Sequence, residues 1–325
     1  MTITAKVVCD SISPRGIRLT TLELRYPRFI HAEFMTHRQF SRNASSSRAI
    51  PVERLIADVE MDPAVPIRWG LNGKGMQDHG EMSPVGECLA YAEWIAARDA
   101  AVRCARRFLR LREVPHKQIV NRIIEPFSHI TVLVTATEWD NFFKLRRHPS
   151  AQPEIQKLAD DIYIAMAESD PVKKKPGEWH VPYITDTDVE ATLRYVMDDM
   201  PSLGLSFALV EEMAMTILCN ISVARCARVS YLRHDGKKAS IDEELALFLR
   251  LMGEDPKHAS PAEHQATPDG LAQDNPSAPL IWEEPELHGN FVGWKQYRKM
   301  FVGESVVQNA RTIKEVIHGK NRFHV

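Results

Sequence analysis

"THRQFSRNASSSR", Thr36 to Arg48, gathers three arginines, four serines, an asparagine and a histidine with no acid among them. It follows directly on the apolar pair Phe34-Met35. Arginine forks pair oxyanions bidentately, and hydroxyls, amides and backbone N–H groups complete such a shell. Two readings are therefore open: a site for phosphate or another anionic ligand, or a polar surface turn. The surrounding chain has to decide between them.

Just upstream, "IRLTTLELRY" (17–26) puts Leu22, Leu24 and Tyr26 on one face, the pattern of a half-buried strand that Pro27 then breaks. Residues 50–86 are dense in Gly, Pro, Asp and Asn and read as loop. A long helix is expected over about 86–113, with Trp94, Ala97, Ala101, Cys104 and Phe108 at helical spacing and arginines towards its C-terminal end, where they suit the dipole. Another is expected over 154–167 on the stripe Ile155, Leu158, Ile162 and Met166. "SDPVKKKPGEW" (169–179) reads as a linker with a solvated lysine run.

Helices should follow at 187–199 and 206–227. Ser240 and Glu243 form a capping box for a helix through Met252. Residues 265–290 are again rich in loop formers, and a last amphipathic helix (Val306, Ala310, Ile313, Ile317) should stop near Gly319. The pattern is that of a helix-rich α/β domain with few strands.

The bulk numbers bound the function. A chain of 325 residues can bury a large core as one domain or two, and 44% hydrophobic with 26% charged residues is ordinary for a globular protein. A formal net charge of −2 gives no overall basic field, so neither duplex DNA nor an acidic membrane is the expected partner. No run approaching ~18 apolar residues is apparent, and the opening "MTITAKVVCDS" lacks the apolar core of a signal peptide. Five scattered cysteines (Cys9, Cys88, Cys104, Cys219, Cys226) without a Cys-x-x-Cys pair argue for a reducing, cytoplasmic compartment, with no disulfide framework and no zinc cluster.

Five separated stretches then agree. His37-Arg38, seven residues and Ser46, with Ser41, Asn43 and Arg48 at fixed offsets, resembles the signature of the flavin-dependent thymidylate synthases (ThyX), which reads Arg-His-Arg, seven residues, Ser. "VNRIIEP" (120–126), with Arg122, is similar to the family's segment with a nucleotide-binding arginine. "TATEWDNFFKLRRHPSAQPEIQ" (135–156) resembles its flavin and nucleotide segment, Asn141 and Arg146 matching its Asn and Arg. "ARCARVSY" (224–231) and "KHASPAEH" (257–264) resemble two stretches that normally precede the signature. Here they come late, so the chain resembles a circular permutant. In that order, 1–168 is the signature and nucleotide/flavin half, 169–215 a joining segment, 216–264 the family's N-terminal half and 265–325 an extension, all within one catalytic domain.

The resemblance implies a helix-rich single domain around a small, mostly antiparallel sheet. It also implies C5 methylation of a uracil nucleotide, dUMP to dTMP, with FAD as cofactor, methylenetetrahydrofolate as carbon donor and NADPH as reductant. Arg146 would lie against the pyrimidine, where a cation stabilises charge developing on the ring, and Ser46 would share the catalytic site. Thr36, His37, Arg38, Thr135, Thr137, Asn141, Ser230, His258 and Ser260 match flavin-contacting positions. Glu33, Ala44, Ser46, Ser47, Arg48, Arg122 and Arg146 match substrate-binding ones. A homotetramer with active sites between subunits is the implied assembly, and none of the five cysteines matches a substrate position.

Several of these positions depart from the family pattern. Thr36 replaces the signature's first arginine, Glu33 a Gln, Ala44 a nucleotide-contacting Glu, and Thr135 and Thr137 an Asn and an Arg. UMP, another pyrimidine nucleotide or a hydroxymethyl product therefore stays open, as does a non-catalytic nucleotide or RNA binder that uses the Arg/Ser stretch alone.

Residue by residue, plainer readings stand alongside. Arg122 and Arg146 also fit surface ion pairs, Asn141 a helix surface, and Ser260 a cap before Pro261. His258 and His264, at i,i+6, lack a metal-helix register. Trp294 and Tyr297 fit core aromatics as well as a pocket wall.

Overall fold

A computed structural model of the chain describes residues 3–199, 206–229, 239–253, 257–272, 280–302 and 304. Its centre is a five-stranded sheet in the order β3-β4-β2-β1-β5. The strands are β1 (Thr4–Ile12), β2 (Arg18–Pro27), β3 (Ser41–Ala44), β4 (His129–Ala136) and β5 (Val172–Lys173). Every pairing is antiparallel except β1 with β5. This is the mixed α/β fold expected.

The helices are α1 (His31–Phe34), α2 (Val52–Met61), α3 (Pro84–Phe108), α4 (Lys117–Ile124), α5 (Asp140–Arg146), α6 (Pro153–Ala167), α7 (Asp186–Asp199), α8 (Phe207–Arg228) and α9 (Ile241–Met252). A two-stranded ribbon, β6 (Ala266–Pro268) with β7 (Trp294–Gln296), lies beside them.

β2 is covered on both faces. Leu22, Leu24 and Tyr26 do share one face, packing with Val132, Val134, Phe142, Ile155 and Leu158 beneath α5 and α6. The opposite face is buried too: Thr21 and Thr135 are fully enclosed, and Leu133 packs against Cys226 and Val229 of the α8 segment. The half-buried reading is thus corrected, because α8 closes the face that alternation alone would leave to solvent.

That same helix meets the length and apolarity of a membrane span, the one such helix among the described residues. Its apolar character on many sides follows from packing between α7, α9 and the sheet, where ten of its residues are buried.

Three further local expectations change. Within 50–86, Val52, Leu55, Ile56 and Val59 recur at helical spacing, and α2 buries them against Val102, Ala105, Val120 and Ile124. α3 stops at Phe108 and its inner stripe is Val102 and Ala105, while Ala97 is exposed. The 169–179 "linker" contains β5, which adds an edge strand to β1. By contrast, Ser240 and Glu243 cap α9 reciprocally. The helix expected around Val306–Gly319 lies outside the described residues.

Candidate active site

The opening stretch folds around β3, and its two ends meet different surroundings. At the N-terminal end, α5 delivers Arg146 from its last turn onto the segment after α1. The guanidinium Nε donates to His37 Nε2 at 2.9 Å, and Nη2 donates to Thr36 Oγ1 at 3.1 Å and to the Glu33 carbonyl at 3.3 Å. His37 is 8% exposed, edge-on to Phe142 at 4.9 Å between ring centres and stacked on Phe40 at 5.8 Å. Burial, aided by Arg146 and Arg42, pushes its pKa down to about 4, so the ring is neutral and offers Nε2 as an acceptor.

Arg146 and Glu33 line a cleft of about 560 Å³. Its far side is formed by Arg68, Met76, Gln77 and Asp78 of the segment before α3, and its floor by Pro149–Pro153. Backbone bonds Leu71 N to Gly80 O (2.8 Å) and Met82 N to Trp69 O (3.0 Å) close that segment into a hairpin. Gly75 and Gly80 sit at φ +101° and +106°, a region open to glycine. Arg68 is held by Asp78 at 2.5 Å. Glu33's carboxyl is pushed upward by burial, against the pull of Arg146. A larger hollow of about 710 Å³ beyond Trp69 has Lys157 as its lysine, and that ammonium is paired with Asp161. Arg146, by contrast, donates to neutral acceptors at its cleft.

At the C-terminal end of β3, Ser46 and Arg48 reach the surface, Arg48 exposed. Buried Ser47 donates its hydroxyl to Glu125 and its carbonyl accepts from Asn121 Nδ2 at 2.7 Å. Arg122, one helical turn before Glu125, binds that carboxylate at 2.9 Å, and Arg28 approaches it at 4.0 Å. Arg28 and Arg122 thus meet at one acid, and exposed Arg48 follows next in the chain after Ser47. Burial lowers the Arg28 pKa, and Glu125 opposes that shift.

Of the flavin-matching positions, Thr36 and His37 meet at the cleft, Asn141 is exposed on the first turn of α5, and Arg38, His258 and Ser260 are exposed. Thr137 Oγ1 accepts from Val292 N at 3.1 Å. Thr135 is fully buried, its hydroxyl bonded to Thr21 Oγ1 at 2.6 Å and to His264 Nδ1 at 2.8 Å. Ala44 is half-buried at the end of β3. Ser230 lies outside the described residues.

Trp294 is wholly buried and donates to Ile17 O at 3.2 Å, and Tyr297 bonds Asn220 at 2.8 Å, so both are core aromatics. The late stretches do reach the signature. Asn43 Nδ2 donates to Cys226 O at 2.6 Å, and Gln296 Nε2 bridges Ser41 Oγ (3.1 Å) and Glu263 O (3.0 Å).

Sequence reasoning passed over Glu125, Arg28 and the 68–82 hairpin. Glu125 stood inside the quoted "VNRIIEP", where its one-turn spacing from Arg122 was the available signal. The hairpin's glycines marked a turn, but nothing local placed it opposite Arg146.

Residues 17–172, the span from β2 to β5, match the model of the family described as thymidylate synthase complementing protein. Its class is that of the thymidylate synthase-like methyltransferases, enzymes acting on a pyrimidine nucleotide. Among solved structures, the chain is similar to UMP/dUMP methylase PolB from Streptomyces cacaoi bound with 5-Br UMP, at 18% identity, TM-score 0.44, covering 51% of this chain and 90% of that one. The same methylase bound with 5-Br dUMP gives 18% identity, TM-score 0.43 and the same coverage. No curated protein matches the chain.

Proposed function

We propose that the protein methylates C5 of a uracil nucleotide, dUMP to dTMP, taking carbon from methylenetetrahydrofolate and reducing equivalents from NADPH through FAD. One observation carries this reading: Arg146 is pinned on a neutral histidine at the wall of a cleft, within the span that matches the family. A guanidinium whose hydrogen-bond acceptors are neutral stabilises a ligand that becomes negative during reaction, with Glu33's carboxyl the charge that acts on it in the same cleft.

Arg38, Asn141 and Ser260 are each exposed, and donors of these kinds suit an acceptor-rich flavin with its anionic diphosphate. FAD, when bound there, supplies the reducing chemistry that a protein side chain cannot. The chain's own residues bind and orient. Arg146 faces the pyrimidine and stabilises negative charge on it, while Ser46, Arg48 and Arg122 serve the phosphate. No nucleophilic thiol is called for. Cys219 and Cys226 are buried, with thiols that burial pushes far up, and Cys9 is pushed up to about 11, so a thiolate at neutral pH is disfavoured in all three.

β3 spans four residues between the Arg146 end and the Ser46–Arg48 end, on the order of 13 Å at strand rise. The proposal therefore includes a homotetramer, acting in the cytoplasm, in which one subunit's phosphate residues serve a neighbour's cleft. It also includes circular permutation: Cys226 and His264, from the late stretches outside the matched span, bond to Asn43 of β3 and Thr135 of β4. UMP is the second reading, favoured by half-buried Ala44, which supplies no carboxylate where the family contacts the nucleotide.

The deciding experiment is mass spectrometry of products from dUMP, UMP and dCMP with labelled methylenetetrahydrofolate, NADPH and FAD. A mass increase matching a methyl group on dUMP or UMP is expected. Nucleotide binding without FAD uptake or product would leave a plain binder and overturn the proposal.

A further inference from the structure

His37 matches a flavin-contacting position, yet its side chain is engaged elsewhere. Nε2 accepts from Arg146 Nε at 2.9 Å, and the ring is clamped between Phe142 and Phe40. An arginine has three nitrogens from which to donate. Here Nε is fixed by the histidine and Nη2 by Thr36 Oγ1 and the Glu33 carbonyl, which sets the plane of the fork. All three acceptors are uncharged. A carboxylate in place of the imidazole would also orient the fork, but it would offset the charge; a neutral ring orients it and leaves the charge available.

We propose that His37 is a positioning residue that acts through Arg146, holding the guanidinium in the cleft in the orientation that meets the pyrimidine. This rests on Arg146 facing the base, as proposed above. Thr36, where the family carries arginine, fits the same arrangement: its hydroxyl accepts from Nη2 and itself donates to the Glu33 carbonyl at 2.7 Å, which a second guanidinium at this position would not do.

Phe142 and Phe40 belong to the main core beneath the sheet, so the clamp on His37 is as rigid as the packing of α5 on β3 and β4. Thermal motion of the loop after α1 is thereby kept from the arginine. A preorganised cation costs no reorientation when charge develops on a ligand, whereas a free side chain must be ordered at that moment.

The test is a double-mutant cycle on the full-length protein with His37→Phe, His37→Gln and Arg146→Ala. It reads nucleotide affinity by calorimetry with dUMP and UMP, FAD affinity by flavin fluorescence, and turnover. Phe keeps the ring but cannot accept from Nε, so His37→Phe should lose about tenfold in turnover and nucleotide affinity with FAD affinity unchanged. His37→Gln retains an acceptor and should recover part of that loss. Against Arg146→Ala, His37→Phe should have no further effect, because its only route is through the arginine.

Additive losses in the cycle, or a tenfold loss of FAD affinity in His37→Phe, would overturn the inference and return the histidine to the flavin. Should His37→Phe fail to fold, the same cycle run with His37→Gln decides on the same criteria. If wild-type protein binds no uracil nucleotide, or Arg146→Ala leaves affinity and turnover unchanged, the proposed function fails instead, and the two outcomes are thereby told apart.

Discussion

The two ends of β3 handle positive charge in opposite ways. At the Arg146 end the guanidinium rests on His37, Thr36 and a carbonyl, all neutral, beside a buried aromatic cluster. At the other end Arg122 is neutralised by Glu125, which also takes the Ser47 hydroxyl, and Arg48 stands exposed. The difference is chemical. A ring that gains charge only in passing needs a fixed cation whose hydrogen-bond acceptors are neutral. A permanently charged phosphate can draw the exposed Arg122 guanidinium away from Glu125, which stays on buried Ser47.

Breaking the cleft end should therefore cost the most. Arg146→Ala is expected to lower turnover on the order of a hundred- to a thousandfold, with flavin content little changed, as steady-state kinetics and flavin absorbance would show. Losing an equal factor of FAD would mean that Arg146 holds the cofactor.

The phosphate end should respond more mildly. Arg48→Ala and Arg122→Ala should each weaken nucleotide binding roughly ten- to a hundredfold, about 1.5–3 kcal/mol, with kcat at saturation largely retained. Mixing Arg48→Ala with Arg146→Ala subunits sharpens the contrast. If the two ends of one site come from different subunits, some sites in the mixture carry both residues intact, and at subsaturating nucleotide the mixture should exceed the turnover of either variant alone. Silence from the mixed sample, with mixed assemblies verified, places both ends in one subunit.

A third contrast is with acid. Buried His264 and His180 have pKa values lowered to about 3 by desolvation, against about 6.5 unfolded. The folded values are the lower ones, so between about pH 6.5 and 3 the unfolded chain binds protons that the folded chain refuses. Stability should fall on acidification through that window, each such histidine adding up to about 1.4 kcal/mol per pH unit. His264→Asn should flatten the slope of denaturant-derived stability between pH 6 and 4 by roughly that amount. An unchanged slope would mean that His264 takes up its proton while folded.

The smallest effect belongs to the thiols. Replacing each of the five cysteines by serine or alanine should leave turnover measurable, with stability lost chiefly at buried Cys219 and Cys226. One cysteine whose removal abolishes turnover in folded protein would reinstate a covalent route.

Much of this was legible in sequence because it is local. Hydrophobic spacing marked β2 and α6, the Ser240–Glu243 pair marked the start of α9, and the arginine–serine offsets marked the stretch around β3 as the candidate site. α2 was obscured because the same window also holds the Gly-rich hairpin and Pro51, Pro63, Pro66 and Pro84, a composition that outweighed ten helical residues.

What the sequence by itself determined is the inventory: which side chains carry charge, which stretches have helical or strand period, and a set of donors without acids from Thr36 to Arg48. Tertiary structure decided the pairings. It turned His37 towards Arg146, set Glu125 against Ser47, buried Thr135 against His264, and laid α8 over the second face of the sheet. The reason is physical. Periodicity and capping act over a few residues, whereas these contacts join positions scores to hundreds of residues apart in the chain and form only when packing of the core brings them within hydrogen-bonding reach.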